Sequence, residues 1–490
     1  MPDLPILSTL LLSLLLLAVA VVAVVVWRTL RFRPDATPPG EPLDLPADLV
    51  GADKLARAVR IRTVDDIDRA KIDGAAFLAY HRLLEDMFPL VHARCDKTVV
   101  NDYSLVFRWK TPDAVPSGKP VLITAHSDVV PVEPGTESAW THDAFSGDIA
   151  DGRVWGRGTL DTKIHQIASL EAVERLLAAG FSPSRDVYLA FGHDEEIGGA
   201  AGASKIVEYF LAQGTTFDFM LDEGGVVADG VLDGVSKPIA LIGLGEKGFA
   251  NVRFTVASDG GHSSMPSRHS SLGLLSQALC HLEAHPMKPR LIPPVRDFLM
   301  KIGPEMGLVN RLVLANLWLL KPLFLAVFSK SRVGGAMLRT TTAVTMAQGS
   351  PAPNLMPQKS EAVANFRILP GETTDTLLAC LRKVLKGFPV EITPLLLENP
   401  SRISPSDSAG FAMISRQVRT LFPDAIATPY LVLAGTDARK YEPVCGDIYR
   451  FTPYRIHNDE LGRIHGTNEN ITIDNVGRCI AFFQGLFQSI

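Results

Sequence analysis

The chain has 490 residues, 47% of them hydrophobic and 21% charged, an ordinary globular composition in a chain too long for a single hydrophobic core. Its formal net charge of -5 at pH 7 provides no basic surface of the kind that nucleic-acid binding needs, so we predict no nucleic-acid partner. The 5 cysteines are dispersed without a CxxC pair, which argues against a disulfide framework and against a thiolate zinc site.

The N-terminal part contains a long apolar stretch. Residues 7–27 carry no charge and are long enough to cross a bilayer as a helix. We interpret this stretch as a single-pass membrane anchor. A cleaved signal peptide is the alternative, with small residues at Ala18 and Ala20, but no Lys or Arg precedes the apolar run.

The segment after this stretch is first basic and then rich in proline. Arg28, Arg31 and Arg33 follow the apolar run, and the positive-inside rule then puts the large domain on the cytoplasmic side. Because three charges are a small bias, the side of the membrane stays open. Residues 28–46 as a whole are interpreted as a Pro-rich spacer between the membrane and the rest of the chain.

Residues 47–247 alternate between strand-like and helical patterns, which is typical of a doubly wound α/β layer. The predicted strands cover residues 104–109, 121–125, 187–191 and 219–221, and a predicted helix covers residues 163–179. The last three of these strands end in polar residues. Because the carboxyl ends of parallel strands meet at one edge of an open sheet, we expect the functional site at that edge.

The strand over residues 121–125 leads directly into two polar side chains. His126 and Asp128 lie on the same side of an extended backbone, so Asp128 can accept the second imidazole N–H and leave the other nitrogen of His126 as a metal ligand. Asp161 follows a Gly-rich turn just before the predicted helix, where its carboxylate can approach from another loop. A single His-x-Asp pair is a weak signal, and the acids that follow strengthen it.

Residues 243–248 match the Gly-x-Gly-x-x-Gly spacing of dinucleotide-binding loops. That fingerprint must open a helix, whereas Val252, Phe254 and Val256 alternate as in a strand, so we predict no nucleotide site here. The following pattern is strand, helix, two strands, helix and strand. It predicts an inserted α+β domain of ferredoxin-like type over residues 248–395.

Within this insert, residues 308–328 are unusually apolar. They include Arg311, Lys321 and Pro322, so we do not expect a second membrane span. We predict a helical pair that packs on the insert; the alternative is an apolar surface that holds an acyl chain or rests on the bilayer. Residues 396–490 resume the α/β pattern and are expected to complete the first domain.

Six side chains at predicted strand ends or Gly-rich turns have the chemistry of a metal centre: His126, Asp161, Glu195, Glu196, Asp222 and His465. Two divalent cations a few ångströms apart need about six ligands, one of them a shared carboxylate, and a further group that handles protons. Glu195 and Glu196 are neighbours that point in different directions, so one can bind metal while the other faces the substrate water. Helix caps and surface acids explain any single position but not the whole set.

These residues stand in motifs that resemble a known family. The motifs are AHSDVVPV, GRGTLDTK, DEEIGG, LDEGG, GGHSS and RIHGTNE. In this order and spacing they closely resemble the aminoacylase and carboxypeptidase-S-type di-zinc metallopeptidases, and the resemblance covers nearly everything after the spacer. Within that family, IYRFTPYRI, RTTTAVT and NLWLLKPL look most like the Gly-X carboxypeptidases and the N-fatty-acyl amino acid synthase/hydrolases.

The resemblance implies two Zn²⁺ ions, with Mn²⁺ or Co²⁺ as substitutes. It implies that Asp161 bridges both ions. The other implied ligands are Glu196 and His465 at one ion and His126 and Asp222 at the other. On this basis the chain is expected to be a zinc-dependent metallopeptidase or aminoacylase-type amidohydrolase.

The resemblance also implies roles for the groups around the ions. Glu195 corresponds to the general base and acid, and Asp128 to the residue that orients the histidine ligand. Within LDEGG we choose Asp222 over Glu223 as the ligand, because the family usually has its carboxylate there. The peptide bond after Asp161 aligns with one that is often cis in the family.

The inserted domain, residues 248–395, corresponds to the family's lid. His262 matches the lid histidine that donates a hydrogen bond to the tetrahedral oxyanion. Asn354 and Arg367 match substrate-binding positions, and Arg367 is suited to grip a free carboxylate in a bidentate manner. The surface of the lid pairs two chains in some relatives, so a homodimer is a further expectation.

We therefore predict hydrolysis of N-acyl amino acids at the amide bond, with the reverse condensation when fatty acid is abundant. The apolar residues 308–328 and the membrane anchor favour a fatty acyl group. The alternative is a Gly-X type carboxypeptidase or dipeptidase acting on short peptides. A third hypothesis, a membrane-tethered binding protein without catalysis, is disfavoured because it would need neither Glu195 nor a complete ligand set.

Overall fold

The structure is a computed structural model that describes residues 4–34, 44–113, 115–232 and 234–490. Residues 35–43 of the predicted spacer therefore lie outside the described residues. The helices are α1 (Leu4–Arg31), α2 (Leu49–Val59), α3 (Gly74–Met87), α4 (Pro89–Arg94), α5 (Lys163–Ala178), α6 (Ala203–Ala212), α7 (Ser271–Ala284), α8 (Pro293–Ile302), α9 (Leu308–Ala315), α10 (Leu317–Phe328), α11 (Arg332–Leu338), α12 (Thr374–Val384), α13 (Ala409–Leu421) and α14 (Ile473–Gln488).

The strands are β1 (Asp96–Val100), β2 (Ser104–Trp109), β3 (Val121–His126), β4 (Ile149–Ala150), β5 (Arg153–Trp155), β6 (Val187–Gly192), β7 (Phe217–Asp222), β8 (Val227–Asp229), β9 (Ile239–Glu246), β10 (Gly248–Ala257), β11 (Gly261–His262), β12 (Thr341–Gln348), β13 (Leu355–Met356), β14 (Lys359–Ile368), β15 (Glu391–Glu398), β16 (Ile426–Val432), β17 (Cys445–Arg450), β18 (Arg455–His457) and β19 (Asn470–Thr472).

The large sheet has the strand order β1-β2-β6-β3-β7-β17-β9-β8-β18, with β16 paired to β9. Strands β6, β3, β7 and β17 run parallel, whereas β1 and β2 pair antiparallel at one edge and β9 pairs antiparallel with β17 and β8. The predicted α/β class is confirmed, and the sheet is mixed rather than wholly parallel. Its central strands are parallel, so their carboxyl ends meet at one edge.

Strand β3 shows why this layer forms. Val121 and Ile123 belong to the core between the sheet and helices α2, α5 and α14, while Leu122 points into a second core on the other face, which includes residues of α6. Because both faces are covered, the whole strand is buried, and its sequence is a continuous apolar run rather than an alternating one. This burial fixes the position of His126 at its end.

A smaller antiparallel sheet has the order β12-β14-β10-β15, and helices α7 and α12 pack on it. Along β10, residues such as Val252, Phe254 and Val256 point into this core, so the segment after the glycine-rich residues 243–248 is a strand and not a helix. The element order β-α-β-β-α-β is the one that the sequence predicts. Its action as a lid stays a prediction.

The apolar residues 308–328 form a helical pair, α9 and α10, bent by 120°. Among the described residues, the core that they share with α8 and α11 contains no residue from the strands of the small sheet. Val295, Phe298 and Leu314 share a core with Ile239 and Leu431 of strands β9 and β16, which belong to the large sheet. The predicted helical pair exists, but it lies at a different place from the one that the sequence suggested.

Among the described helices, one is long and apolar enough to cross a membrane: α1, over Ser8–Arg31. None of the most apolar part of this helix is buried in the protein. By length and composition it fits either a membrane anchor or a signal sequence.

Candidate metal centre and active site

Asp161, Glu195, Glu196 and His465 line one cavity of about 830 Å³, and His126 contacts Asp161 of that lining. His126 ends β3, and Glu195 and Glu196 lie in the turn after β6. Asp161 stands just before α5, and His465 comes from the loop between β18 and β19. These five residues come from segments far apart in the chain, and the parallel strands bring them to a single edge of the sheet.

The carboxylate of Asp161 lies between two histidines. Its Oδ1 is 3.2 Å from His126 Nε2, and its Oδ2 is 2.9 Å from His465 Nε2. The same His465 nitrogen is 3.3 Å from Glu196 Oε2. Ligand atoms of His126, Asp161 and Glu196 all lie within 4.8 Å of one another. A carboxylate that offers one oxygen to each side is the arrangement that a bridging metal ligand needs.

Asp128 orients both His126 and Glu196. His126 Nδ1 donates to the backbone oxygen of Asp128 at 2.9 Å and lies 3.5 Å from its Oδ1, which leaves Nε2 as the accepting nitrogen. The other carboxylate oxygen of Asp128 accepts the backbone N–H of Glu196 at 3.0 Å. Asp128 thus fixes the histidine tautomer through its backbone oxygen, and its carboxylate fixes the start of the turn that carries the two glutamates.

Glu469 holds two loops of the site together, and the sequence analysis missed it. Its Oε1 accepts the backbone N–H groups of Gly158 and Leu160 at 3.0 and 2.8 Å, and its Oε2 accepts from Arg157 at 2.6 Å. Arg157 also donates to the backbone oxygen of His465 at 3.0 Å. The histidine itself has φ 61°, a left-handed conformation uncommon for a non-glycine residue. Glu469 and Arg157 both stand inside the quoted motifs, and that position was the available signal.

Glu195 lines the cavity without a hydrogen bond to His465 among the described contacts. Burial raises its pKa well above the usual value, and the charges of Asp437, Glu223 and Glu196 add to this effect. A carboxylate with a raised pKa is a stronger base than an ordinary carboxylate, which suits it to accept a proton from water. Asp437, which follows β16, is a further cavity residue to which the sequence analysis assigned no role.

Asp222 and Glu223, the neighbours between which the sequence analysis chose, occupy different environments. Asp222 Oδ1 accepts from Thr124 Oγ1 at 2.7 Å, and its partner in the β7–β17 register is Arg450. Among the described residues that line the cavity, Glu223 is present and Asp222 is not. Burial raises the pKa of Glu223 well above its usual value, and the nearby carboxylate of Asp161 raises it further.

The donor set fits divalent cations. Glu196 Oε1 and Asp128 Oδ1 are buried, and neither atom has a hydrogen-bond partner among the described residues. Hydrogen bonds to Asp161 and Glu196 raise the pKa of His465 to about 10, which shows how negative the cluster is. Carboxylates gathered around one buried and one exposed imidazole, without a Lys or Arg bound between them in the described part of the chain, are the chemistry of a metal site.

The structure brings only one of the three predicted lid residues to this cavity. Arg367 lines it, with its guanidinium 4.8 Å from the ring centroid of Phe249. His262 and Asn354 are exposed on the β11–β13 pair, where the backbone oxygen of Asn354 accepts from Ser263 at 3.1 Å. Neither is among the described residues that line the cavity.

The quoted motifs all lie within the part of the chain that matches a known family. The profile of "Peptidase family M20/M25/M40" matches residues 122–489. The chain belongs to this family. It is therefore an M20 family metallopeptidase, as the motifs predicted, and the family resemblance is confirmed.

Two relatives illustrate the range of the family near this chain. A probable carboxypeptidase S-like 2 of Dictyostelium discoideum is 37% identical over 90% of this chain and 85% of its own length. The N-fatty-acyl-amino acid synthase/hydrolase PM20D1 of Homo sapiens is 34% identical over 89% of this chain and 86% of its own length. Among solved structures, the M20 family metallo-carboxypeptidase Sso-CP2 from Sulfolobus solfataricus shares the fold, with a TM-score of 0.64 at 19% identity, covering 89% of this chain and 98% of that protein.

The peptide bond between Asp161 and Thr162 is cis, as the family resemblance implied. It precedes α5, whose Lys163 donates to the backbone oxygens of Ala58 and Ile61 at 2.9 and 2.7 Å. The first turn of α5 is thereby bound to the end of α2. This contact fixes the segment that presents the Asp161 carboxylate.

Asp65 is a buried acid near Asp128 of this site, and its raised pKa makes the stability of the fold depend on pH. Its side chain is 5% exposed, and burial together with the charges of Asp128 and Asp194 raises its pKa from 3.8 to about 7. For a carboxyl group with a raised pKa, the stabilising contribution is complete below the unfolded pKa and is lost as pH rises through the folded pKa.

We therefore expect Asp65→Asn to raise the free energy of unfolding at pH 8 by a value on the order of 2–4 kcal/mol, and hence to raise the melting temperature. Near pH 4 the substitution should have little effect. The measurement is thermal unfolding across this pH range. Asp113→Asn, on an exposed loop, is the matched control and is expected to show no such pH dependence. A gain for Asp65→Asn that does not change with pH would contradict the assignment.

Proposed function

We propose that the chain is a membrane-anchored di-zinc hydrolase that cleaves the amide bond of N-acyl amino acids, N-fatty-acyl amino acids in particular, and also forms that bond in reverse. The observation that supports this most is a cation without an ion pair in a cavity that also holds the acidic cluster. Arg439 and Lys440 line the same cavity, but Arg439 is paired with Glu246 and Glu398. Arg367 lines the cavity and has no ion pair with an acid among the described residues. A free amino-acid carboxylate is the group that such a guanidinium binds.

The cavity also has an apolar side. Phe249, Leu396 and Val432 line it together with Ala434. These side chains offer a surface for the acyl part of a substrate whose carboxylate is bound at Arg367. An apolar surface in the same cavity as the acidic cluster supports an acyl amino acid over a purely polar peptide.

For the metal ligands we propose His126, Asp161, Glu196 and His465, with Glu223 in place of Asp222 as the fifth. Glu223 lines the cavity with Asp161. Asp222 does not line it and has Oδ1 engaged by Thr124, which leaves only its buried Oδ2 without a hydrogen-bond partner among the described residues. When bound, two Zn²⁺ ions would polarise the amide carbonyl and make a water more acidic.

The protein's own groups then carry the proton. Glu195 accepts a proton from the attacking water and returns it to the leaving amide nitrogen, so that a free amino acid is released. Asp128 keeps the imidazole of His126 in one tautomer throughout. Arg367 holds the substrate carboxylate and so fixes the distance between the amide and Glu195.

We keep His262 as the oxyanion donor and Asn354 as a substrate contact in this proposal. Both are exposed on the β11–β13 pair. They would reach the substrate through a movement of the small sheet, which would then act as a lid, or from a second copy of the chain in a homodimer.

A carboxypeptidase that releases a C-terminal amino acid from short peptides is the second candidate, because relatives with that name match at similar identity. Incubation of the zinc-loaded protein with N-oleoyl-phenylalanine and with carboxybenzoyl-Gly-Leu separates the two. We expect turnover of the first. Turnover of the second alone would overturn the lipid preference and leave a carboxypeptidase.

Arg367→Ala is expected to raise KM for N-acyl amino acids by about 10- to 100-fold, since a charge-assisted hydrogen bond contributes roughly 1.5–3 kcal/mol. The methyl amide of the same substrate has no carboxylate and should be affected little. Arg253→Ala, on the neighbouring strand β10 and away from the cavity lining, is the control. An equal KM increase for both substrates would show that Arg367 has a structural role instead.

A further inference from the structure

The C-terminal end of α1 is hydrogen-bonded into the α9–α10 bend. Asn316, at the bend, donates through Nδ2 to Thr29 Oγ1 at 3.1 Å and to the backbone oxygen of Val25 at 3.3 Å. The Asn316 and Thr29 residues are 0% and 5% exposed. Arg28 Nε donates to the backbone oxygen of Ala315 at 2.9 Å. Buried polar side chains that satisfy one another fix a single geometry.

A second set of contacts lies one turn further along. Arg311 Nε donates to the backbone oxygen of Phe32 at 3.0 Å. The Phe32 ring packs so closely on Gly303 that an added Cβ there would lie 2.8 Å from it. The end of α1 is therefore part of the folded unit, and the direction of α1 relative to the bent pair is set.

The bent pair exposes several large apolar side chains on both of its helices. The exposed fractions are 66% for Leu308, 76% for Val309, 54% for Trp318, 45% for Leu319, 56% for Leu323 and 62% for Val327. Isolated exposed apolar residues are ordinary, but a group of this size on two adjoining helices marks a surface that binds lipid or protein.

The position of the bend along α1 identifies lipid as the partner. Asn316 bonds to Val25, which lies two residues before Trp27, the last apolar residue of the stretch, or about 3 Å along a helix. If α1 spans the bilayer, the bend lies at the depth where the acyl region ends. Exposed Lys321 and Lys330 on and beside α10 suit anionic headgroups, and Trp318 is a residue typical of that depth.

We propose that α9 and α10 form a membrane-seated platform: they lie in the headgroup–acyl boundary of the bilayer that α1 enters, with the exposed apolar side chains inserted. This rests on α1 being a membrane span, as in the proposed function.

The platform also connects to the active site, because Leu431 of β16 is part of the core beneath it and the next residue, Val432, lines the cavity. The cavity is thus held at a fixed position relative to the lipid surface.

Tryptophan quenching by brominated lipid tests this in the full chain. The protein is reconstituted into vesicles of phosphatidylcholine and phosphatidylglycerol, with and without bromine on the acyl chains. The fluorescence of Trp318 is the difference between wild type and Trp318→Phe. We expect brominated lipid to lower it at least about twofold. The fluorescence of Trp155, obtained in the same way from Trp155→Phe, should not change, since the adjacent Val154 belongs to the core of the large sheet and not to the core beneath α9 and α10.

Vesicle flotation in the same samples separates the two claims. A protein that floats while Trp318 is not quenched overturns the platform and leaves the anchor, and this includes the case in which a second copy of the chain covers the surface. A protein that does not float overturns the membrane span as well. The double variant Leu323→Glu/Val327→Glu should float but lose the quenching, whereas Leu78→Glu/Val99→Glu, also exposed apolar residues, should keep it.

Discussion

Glu195→Gln is expected to lower kcat by about 10²- to 10⁴-fold, the usual contribution of a general acid–base group, without changing the metal content. Glutamine has the size of glutamate but cannot accept the proton of the attacking water. Glu195 lies on the cavity wall with a pKa raised by burial and by the neighbouring acids. The measurement is kcat on an N-acyl amino acid together with the metal content of the purified protein.

Two further substitutions make this result specific. Glu196→Gln is expected to lose both metal and activity, because Glu196 Oε2 belongs to the cluster around Asp161 and His465. Glu208→Gln, an exposed residue of α6 paired with Lys205, should change neither. If Glu195→Gln keeps turnover within about tenfold of wild type, another group supplies the base, and Asp437 on the same cavity wall is the next candidate.

Much of the scaffold under the site follows from local patterns in the sequence. Strand β2 (Ser104–Trp109) has the bounds that were predicted. Strand β3 was predicted one residue short, at residue 125, and helix α5 one residue long, at residue 179. These elements are specified by nearby residues: a β-branched apolar run in β3 and helical spacing in α5. His126 could be located at the site because the end of a buried strand is itself a local feature.

The features that were missed depend on long-range contacts. Glu469 binds the loop at Gly158 and Leu160, more than three hundred positions earlier in the chain, and no periodic pattern marks such a pairing. The same applies to residues 308–328, whose apolar composition predicts burial but not the partner, here the edge of the large sheet at β16. Composition gives the tendency to bury a surface, and topology decides which surface covers it.

The neighbours Asp222 and Glu223 show a third kind of limit. Strand alternation predicts opposite faces for them, but β7 ends at Asp222, so the direction of the next side chain depends on the turn. The motif alone therefore does not decide which of the two is the metal ligand, and the choice of Asp222 followed the position that the family usually uses. The surroundings in the structure differ: a hydrogen bond from Thr124 for Asp222, and the cavity for Glu223.

Paired amide substitutions decide between them. Glu223→Gln is expected to weaken binding of one metal ion by more than about 100-fold. Loss of a group that only orients a metal ligand already costs about 10- to 100-fold, and a neutral amide is a poorer ligand than a carboxylate. Asp222→Asn should keep both ions and most of the activity, since an amide oxygen can still accept from Thr124. The measurement is metal content after dialysis against a zinc buffer.

The opposite outcome is equally clear. If Asp222→Asn loses an ion and Glu223→Gln keeps both, Asp222 is the ligand that the LDEGG motif suggested, and its hydrogen bond from Thr124 orients a metal-bound carboxylate.

Thr124→Val then distinguishes a structural role of the Thr124–Asp222 hydrogen bond from a role in metal binding. Removal of this hydroxyl should leave metal content unchanged if Glu223 is the ligand, because Thr124 contacts only Asp222 of the two. It should lower zinc affinity about 10- to 100-fold if Asp222 is the ligand, because the group that orients a ligand would be lost.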